Sequence, residues 1–248
     1  MCDGVSGMTD FETITVPARL SGYPGVAFGG YVAGVLAARA AAKTVRVDFR
    51  RPVPTDSPVR LAPTSDGGAR LVDGELLLAT ASPAEPAAEA PEPPTWEQAS
   101  AAADAYRAAP PDGMVDCFGC GLHRTPDTGL RLHCGRVSGG PLVAAAWTPG
   151  PALGGADGLL PPELVWGALD CPGNAAGRLL DDRRAGAVTA ALTARLLRPV
   201  PVGAGLVSYA WLLGSEGRKY RVGTALATAD GDLCAVGEAL WVEPRAQP

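Results

Sequence analysis

The sequence predicts an α+β protein built from two similar halves, each a helix set against an antiparallel sheet. Three observations carry this prediction. RRPVPTDSPVRL at 50–61 is echoed by LRPVPVGAGLVS at 197–208. In each half that turn lies between an apolar helix-like run and a series of short alternating segments, the pattern of an internal duplication. Between the halves stands SPAEPAAEAPEPPT at 82–95, a Pro-rich acidic stretch that cannot build a core and reads as a semi-rigid linker. At 248 residues the chain can bury two small cores. Sheets joined edge to edge would remove two open edges.

The elements follow in chain order. Residues 1–10 carry no periodic pattern and read as a loose start, and Phe11–Val16 is a strand. SGYPGVAFGGYVAGVLAARAAA turns at its Gly/Pro cluster and then becomes a helix from Gly29-Gly30 to about Ala42. That helix is apolar nearly all round, so other structure must enclose it. Thr44–Phe49 alternates, with Val45, Val47 and Phe49 on one face, as in a half-buried strand. Val59–Leu61, Ala69–Val72 and Glu75–Ala81 are further strands, separated by Asp66-Gly67-Gly68 and Asp73-Gly74 turns. Trp96–Ala108 is helical and is expected to pack across the joint between the halves.

In the second half Gly129–Val137 and Leu142–Trp147 read as strands joined at Ser138-Gly139-Gly140. A helix follows, and then strands at Ala187–Leu197, Leu206–Leu213, Lys219–Thr228 and Leu233–Val242. The expected organisation is an N-terminal unit over 10–81, a linker with its helix over 82–116, and a C-terminal unit over 117–245.

Leu160–Ala176, LPPELVWGALDCPGNAA, places one carboxylate, Asp170, inside an otherwise apolar helix-like run. Pro161 and Pro162 suit the first turn of a helix and Glu163 suits the positive end of its dipole. Desolvation raises the pKa of a buried carboxyl and makes its ionised form more basic, as a general base near neutrality requires. The alternative is that Asp170 caps a turn beside Pro172. Gly29 and Gly30 permit close backbone approach, and N–H groups at a helix start suit an oxyanion. The alternative there is a tight turn in a Gly-rich chain.

The chain resembles tandem (double) hotdog acyl-CoA thioesterases. Its second half is similar to PaaI-type members through CFGCG at 117–121, GLRL at 129–132, LVWGALDCPG, the LRPVP turn, GRKYRV and DGDLCAVGEALWV. Its first half resembles acyl-CoA thioesterases through FGGYVAGVLA and VDFRRPVP. The resemblance implies a double hotdog fold and hydrolysis of acyl-CoA or acyl-carrier-protein thioesters at the junction of two units. There a Gly N–H at one helix start polarises the thioester carbonyl, and an acid on the facing unit's helix acts as base or nucleophile.

Such proteins usually carry His-Gly-Gly and an acid nine residues after the His, and this sequence divides that pattern. Phe28-Gly29-Gly30 keeps the glycines, but Ala37 stands in the acid's place. Asp170 keeps the acid, but Pro161-Pro162-Glu163 stands where the glycines would be. Gly29 and Asp170 are therefore expected to meet in one complete site, with Gly30 assisting, while Ala37 and Pro161 meet in a dead one. Phe28, Asn174 and Thr189 are expected beside it, and Arg198, Arg218 and Lys219 are expected to hold phosphates of the substrate. Arg50, Arg51 and Arg70 occupy similar places in the first half. A non-catalytic acyl-CoA or polyketide-intermediate binding module on the same scaffold is the alternative, with a hotdog dehydratase or isomerase behind it.

A net charge of −5 with 19% charged residues gives no broad basic face for nucleic acid. The most apolar stretch, Val26–Ala42, is interrupted by Arg39, so no membrane association is expected. Without a secretion-type N-terminus, a cytoplasmic protein with reduced thiols is expected, and a homodimer is compatible with it. Cys117 and Cys120, with His123, His133 and Cys134 nearby, could supply four zinc ligands. A partner Cys-x-x-Cys is missing, and the expectation is a turn without metal or other cofactor. Those are the only two histidines, and both lie far in sequence from the helix starts, which argues against a His-based dehydratase or a Ser-His-Asp hydrolase.

Overall fold

The computed structural model describes residues 11–85 and 89–245; the loose start expected at 1–10 lies outside them, as do 86–88 of the linker. The first half contains β1 (Glu12–Thr15), the short pair β2 (Ser21–Tyr23) and β3 (Val26–Ala27), α1 (Gly29–Ala37), β4 (Thr44–Phe49), β5 (Pro58–Pro63), β6 (Ala69–Asp73) and β7 (Leu76–Pro83). After α2 (Trp96–Ala108) come β8 (Gly135–Arg136), β9 (Leu142–Trp147), α3 (Pro162–Gly167), α4 (Cys171–Leu180), β10 (Val188–Leu196), β11 (Leu206–Glu216), β12 (Lys219–Thr228) and β13 (Leu233–Val242). Among the described residues no helix is long and apolar enough to cross a membrane.

One antiparallel sheet of 11 strands runs in the order β1-β5-β6-β7-β4-β10-β13-β12-β11-β9-β8. Read outward from its centre, the left side is β4-β7-β6-β5-β1 and the right side β10-β13-β12-β11-β9, the same order of elements on both sides. The sides join where β4 pairs with β10, Val47 opposite Leu192 and Val45 opposite Ala194, all four buried. Inward residues follow the period of two that strands impose. In β12 they are Tyr220, Val222, Thr224 and Leu226, and in β9 Val143, Ala145 and Trp147. The Trp147 indole N–H donates to the buried Ser208 hydroxyl at 3.0 Å, so this polar pair is satisfied inside the core.

Three expected elements differ, each for a local reason. The helix from Gly29 ends at Ala37 rather than near Ala42, because the amides of Arg39 and Ala40 turn to carbonyls three residues back and that of Ala41 bonds Gly67 in the β5–β6 turn. Of Gly129–Val137 only Gly135–Arg136 is strand; Leu130 and Leu132 instead donate to the carbonyls of Phe118 and Gly119, along the CFGCG loop. The helix Trp96–Ala108 begins with a capping box of Thr95 and Gln98, but it does not cross the joint. Its alanines, Ala99 and Ala102, pack on Val137, Ala144, Val207 and Tyr209, on the outer face of the far end of the sheet. The linker is held there too, since the Tyr209 hydroxyl donates to the Pro91 carbonyl at 2.9 Å.

On the other face α1 and α3 lie antiparallel in close approach, and glycine makes it possible. A Cβ on Gly30 would sit 2.7 Å from the Gly167 Cα, and one on Gly34 would sit 2.4 Å from the Glu163 Cα. Both obstacles are backbone and cannot rotate away. Gly34→Ala gains about 1 kcal/mol of helix propensity but overpacks a backbone contact, which costs about 1–3 kcal/mol. We therefore expect net destabilisation, read as a lower urea midpoint with an unchanged slope.

Candidate active site

Asp170 does not sit within a continuous helix. Pro172 has no N–H with which to continue the α3 ladder, and the chain breaks between Gly167 and Cys171, leaving Asp170 at the cap position of α4. Its side chain makes no cap bond to its own helix. It crosses instead to the first half, where Oδ2 accepts the Gly30 N–H at 2.8 Å. Oδ1 accepts the Thr189 hydroxyl at 2.6 Å. The carboxyl is 3% exposed. Burial pushes its pKa up to about 6; the Thr189 and Gly30 hydrogen bonds act against that rise, and the nearby Cys117 adds to it.

Each partner is placed by a local irregularity. Gly30 is in the first turn of α1, whose N–H groups have no intrahelical acceptor and carry the positive end of the helix dipole. Thr189 sits where the β10–β13 register shifts between Thr189 and Ala191, a bulge that turns its hydroxyl to Asp170. On its other side β10 is unpaired here, because it meets β4 only from Ala191 onward.

A cavity of about 280 Å³ opens at this gap. Its wall comes from the starts of α1 and α4, the segment after β4, the start of β10 and the loop before Cys120. It contains Phe28, Gly29, Asp170, Asn174 and Thr189 together. Among the described residues the Gly29 N–H has no hydrogen-bond partner. A Cβ on Gly29 would lie 3.2 Å from the Asp170 Oδ2, so an unpartnered donor and the carboxylate are neighbours on one wall. Gly30, expected to assist Gly29, has its N–H committed to Asp170. Phe28 is 2% exposed, tilted against Phe118 at 6.0 Å between ring centroids, and fills the space at the helix start with carbon.

The three basic residues expected to hold phosphates are not brought in. Arg198 pairs with Asp232 at 2.7 Å, Arg218 donates to the Glu243 carbonyl at 2.6 Å, and Lys219 is exposed beside the β11–β12 turn; none lines the cavity. Arg50, Arg51 and Arg178 line it instead. Arg178 was legible as the third member of a four-residue spacing, Asp170, Asn174, Arg178, which puts all three on one face of α4. The wall also carries three thiols, Cys117, Cys120 and Cys171. The ligand set suggested by sequence spacing is not assembled. His133 stacks on Tyr106 at 5.7 Å and its Nε2 faces the Gly121 carbonyl at 3.2 Å, while Cys134 is fully buried in the core.

This wall offers one buried acid, one free N–H at a helix start, guanidinium groups and an otherwise mainly apolar lining. It can hold an anionic ligand with an apolar portion and deliver a base to a carbonyl polarised by the N–H.

No protein-family model matches the chain, and no curated protein matches it. Solved structures do. An acyl-CoA thioesterase II, TesB2, from Mycobacterium marinum is 14% identical, with 96% of this chain and 97% of that one covered at a TM-score of 0.60. A TesB protein from Mycobacterium avium subspecies paratuberculosis is 13% identical, with 91% of each chain covered at 0.61. A conserved protein of unknown function with hot dog fold from Alicyclobacillus acidocaldarius is 14% identical, with 100% of this chain and 96% of that one covered at 0.60. With α1, α3 and α4 laid on one face of a long antiparallel sheet, these matches make the chain a hotdog-fold protein.

Proposed function

We propose that the protein is a double-hotdog acyl thioesterase, its units spanning 10–81 and 117–245 and joined by 82–116, with one composite site between them. The observation that carries this reading is the meeting of Asp170 from the second half with Gly29 from the first on the wall of one cavity, where the Gly30 N–H holds the carboxylate. In the reaction, Asp170 takes a proton from water as the water oxygen bonds the thioester carbonyl carbon. The oxyanion forms at the Gly29 N–H, at the positive end of α1. Collapse of the tetrahedral intermediate breaks the C–S bond, and Asp170 returns the proton to the departing thiolate. Direct attack by the carboxylate is the other use of the same geometry.

The substrate is an acyl-CoA or an acyl-carrier protein. Arg50, Arg51 and Arg178 are the cavity's cations and suit phosphate by charge-assisted hydrogen bonding. Arg198, Arg218 and Lys219 have no part in this reading. The binding-module alternative draws on one feature, the engagement of both Asp170 oxygens by protein donors. A dehydratase or isomerase needs an acid–base pair, and among the described residues Asp170 is the one carboxyl on this wall, with no histidine beside it.

The decisive assay follows loss of thioester absorbance over short, medium, long and aromatic acyl-CoAs. Asp170→Asn is expected to lower kcat by at least about 100-fold, the usual contribution of a positioned base. Saturable binding without turnover by the wild type would favour the binding module, and a new double bond in a β-hydroxyacyl substrate would favour the dehydratase. Arg50→Gln is expected to raise KM for acyl-CoA by about tenfold, the worth of one charged hydrogen bond, with kcat little changed. Thr189→Val removes a donor from a buried acid while keeping the side chain's shape; a loss of about 1–3 kcal/mol in chemical denaturation is expected.

A further inference from the structure

Three cysteines from two distant parts of the sequence converge beside Asp170. Cys117 and Cys120 belong to the CFGCG loop, and Cys171 is the first residue of α4, 51 positions after Cys120. Their sulfur atoms all lie within 4.8 Å of one another, and those of Cys117 and Cys171 are 3.9 Å apart. Among the described residues this is the one such group of potential ligands.

The local backbone is shaped to this cluster. The Gly119 N–H donates to the Cys117 sulfur at 3.2 Å, and the Gly121 N–H closes the loop onto the Cys117 carbonyl at 2.7 Å. A sulfur receiving an amide N–H is supported as a thiolate, the form that ligates metal. Gly119 also clears the approach of the third thiol. A Cβ there would lie 2.5 Å from the Cys171 sulfur and 2.7 Å from the Phe28 ring, so any other residue at this position would drive Cys171 away.

We propose that Cys117, Cys120 and Cys171 form a binding site for a soft, four-coordinate divalent cation of the Zn²⁺ class, with its fourth position facing the cavity. Zinc–thiolate bonds of about 2.3 Å put sulfurs about 3.8–4.0 Å apart around a tetrahedral or trigonal ion. The Cys117–Cys171 pair has that spacing at 3.9 Å, and Cys120 reaches it by a movement of less than about 1 Å. A disulfide would consume two of these thiols and leave the third without a role, whereas a metal uses all three. All three line the cavity, so water or a substrate atom completes the coordination. The ion would fasten the start of α4, and Asp170 with it, to the 117–121 loop. The inference stands apart from thioester hydrolysis, because it concerns what the thiols bind.

The test uses the full chain, reduced and freed of metal. With added Zn²⁺, one equivalent is expected to remain after desalting, and Zn²⁺ is expected to protect Cys117, Cys120 and Cys171 from alkylation mapped by peptide mass. Co²⁺ in its place is expected to give thiolate charge-transfer bands with ligand-field bands of tetrahedral intensity. Cys171→Ser and Gly119→Ala should each weaken Zn²⁺ binding by about 100-fold, since the free energy of a thiolate zinc site is shared among few ligands. Failure to retain zinc, an octahedral cobalt spectrum, alkylation of the three thiols undisturbed by Zn²⁺, or a Cys117–Cys120 disulfide in the protein as isolated would each overturn the proposal. The protection and cobalt measurements use the unaltered chain and decide the matter even if a variant does not fold.

Discussion

A carboxylate buried between two halves of a chain must be satisfied by both of them, and the Asp170 side chain imposes that condition here. An unpaired buried charge costs several kcal/mol. Its oxygens are met by the Gly30 amide, from the first half, and the Thr189 hydroxyl, from the second. The amide is also an orphan donor of α1, so the bond answers two needs at once, that of the acid and that of the helix end. A shift of α1 against α4 by one turn would leave both unsatisfied. The glycines are best understood from this bond. Gly30 and Gly34 allow α1 to lie on the α3 backbone, and that approach brings the α1 amides within reach of Asp170.

The sheet shows the same coupling of closure and opening. Pairing of β4 with β10 makes one sheet of two sides, yet the pairing stops at Ala191, where β10 bulges. Continued for two more residues, it would cover the region in which Thr189 and Ala190 line the cavity. The bulge thus gives up backbone pairing at the centre of the sheet, re-aims Thr189 at the acid and leaves room for a ligand. The walls around it come from segments that are irregular for their own reasons, the Pro172 break and the turn after β4 among them.

Local patterns were legible in the sequence. Alternation marks the strand Thr44–Phe49, because a half-buried strand has to alternate, and turn signals bound the strands from Lys219 and Leu233. That Gly29, Gly30 and Asp170 should meet was implied by the resemblance and its divided motif; composition and periodicity do not state it. What could not be read depends on partners distant in sequence. Nothing in 129–137 says that Leu130 and Leu132 will bond the 118–119 backbone rather than a strand, and α2 has an alanine face that fits any flat surface. Basic residues at strand ends are ambiguous for a related reason. A guanidinium at a strand end is as ready to pair with Asp232 or a backbone carbonyl as with phosphate, and only the fold decides which lies closer.

The antiparallel packing of α1 and α3 relates the two ends of the helix pair in a chain whose two sides share a strand order. Gly30 faces Gly167 at one end of the contact, and Gly34 faces Glu163 one turn on. Continued by another turn, the same register carries Ala37 to the level of Leu160 and Pro161. The sum of the paired positions is nearly constant, so Phe28 with Asp170 and Pro161 with Ala37 occupy related places at opposite ends of one helix pair. At the first end a free amide, an acid and a cavity coincide. At the second, Ala37 has no acid to offer and Pro161 and Pro162 have no N–H to give, so the chemistry that needs both has no parts there. That end is packed instead: Leu160, Leu164 and Leu36 are all buried in the common core. The asymmetry between the two ends is therefore a division of labour, in which one end of the helix pair secures the contact that the other end requires.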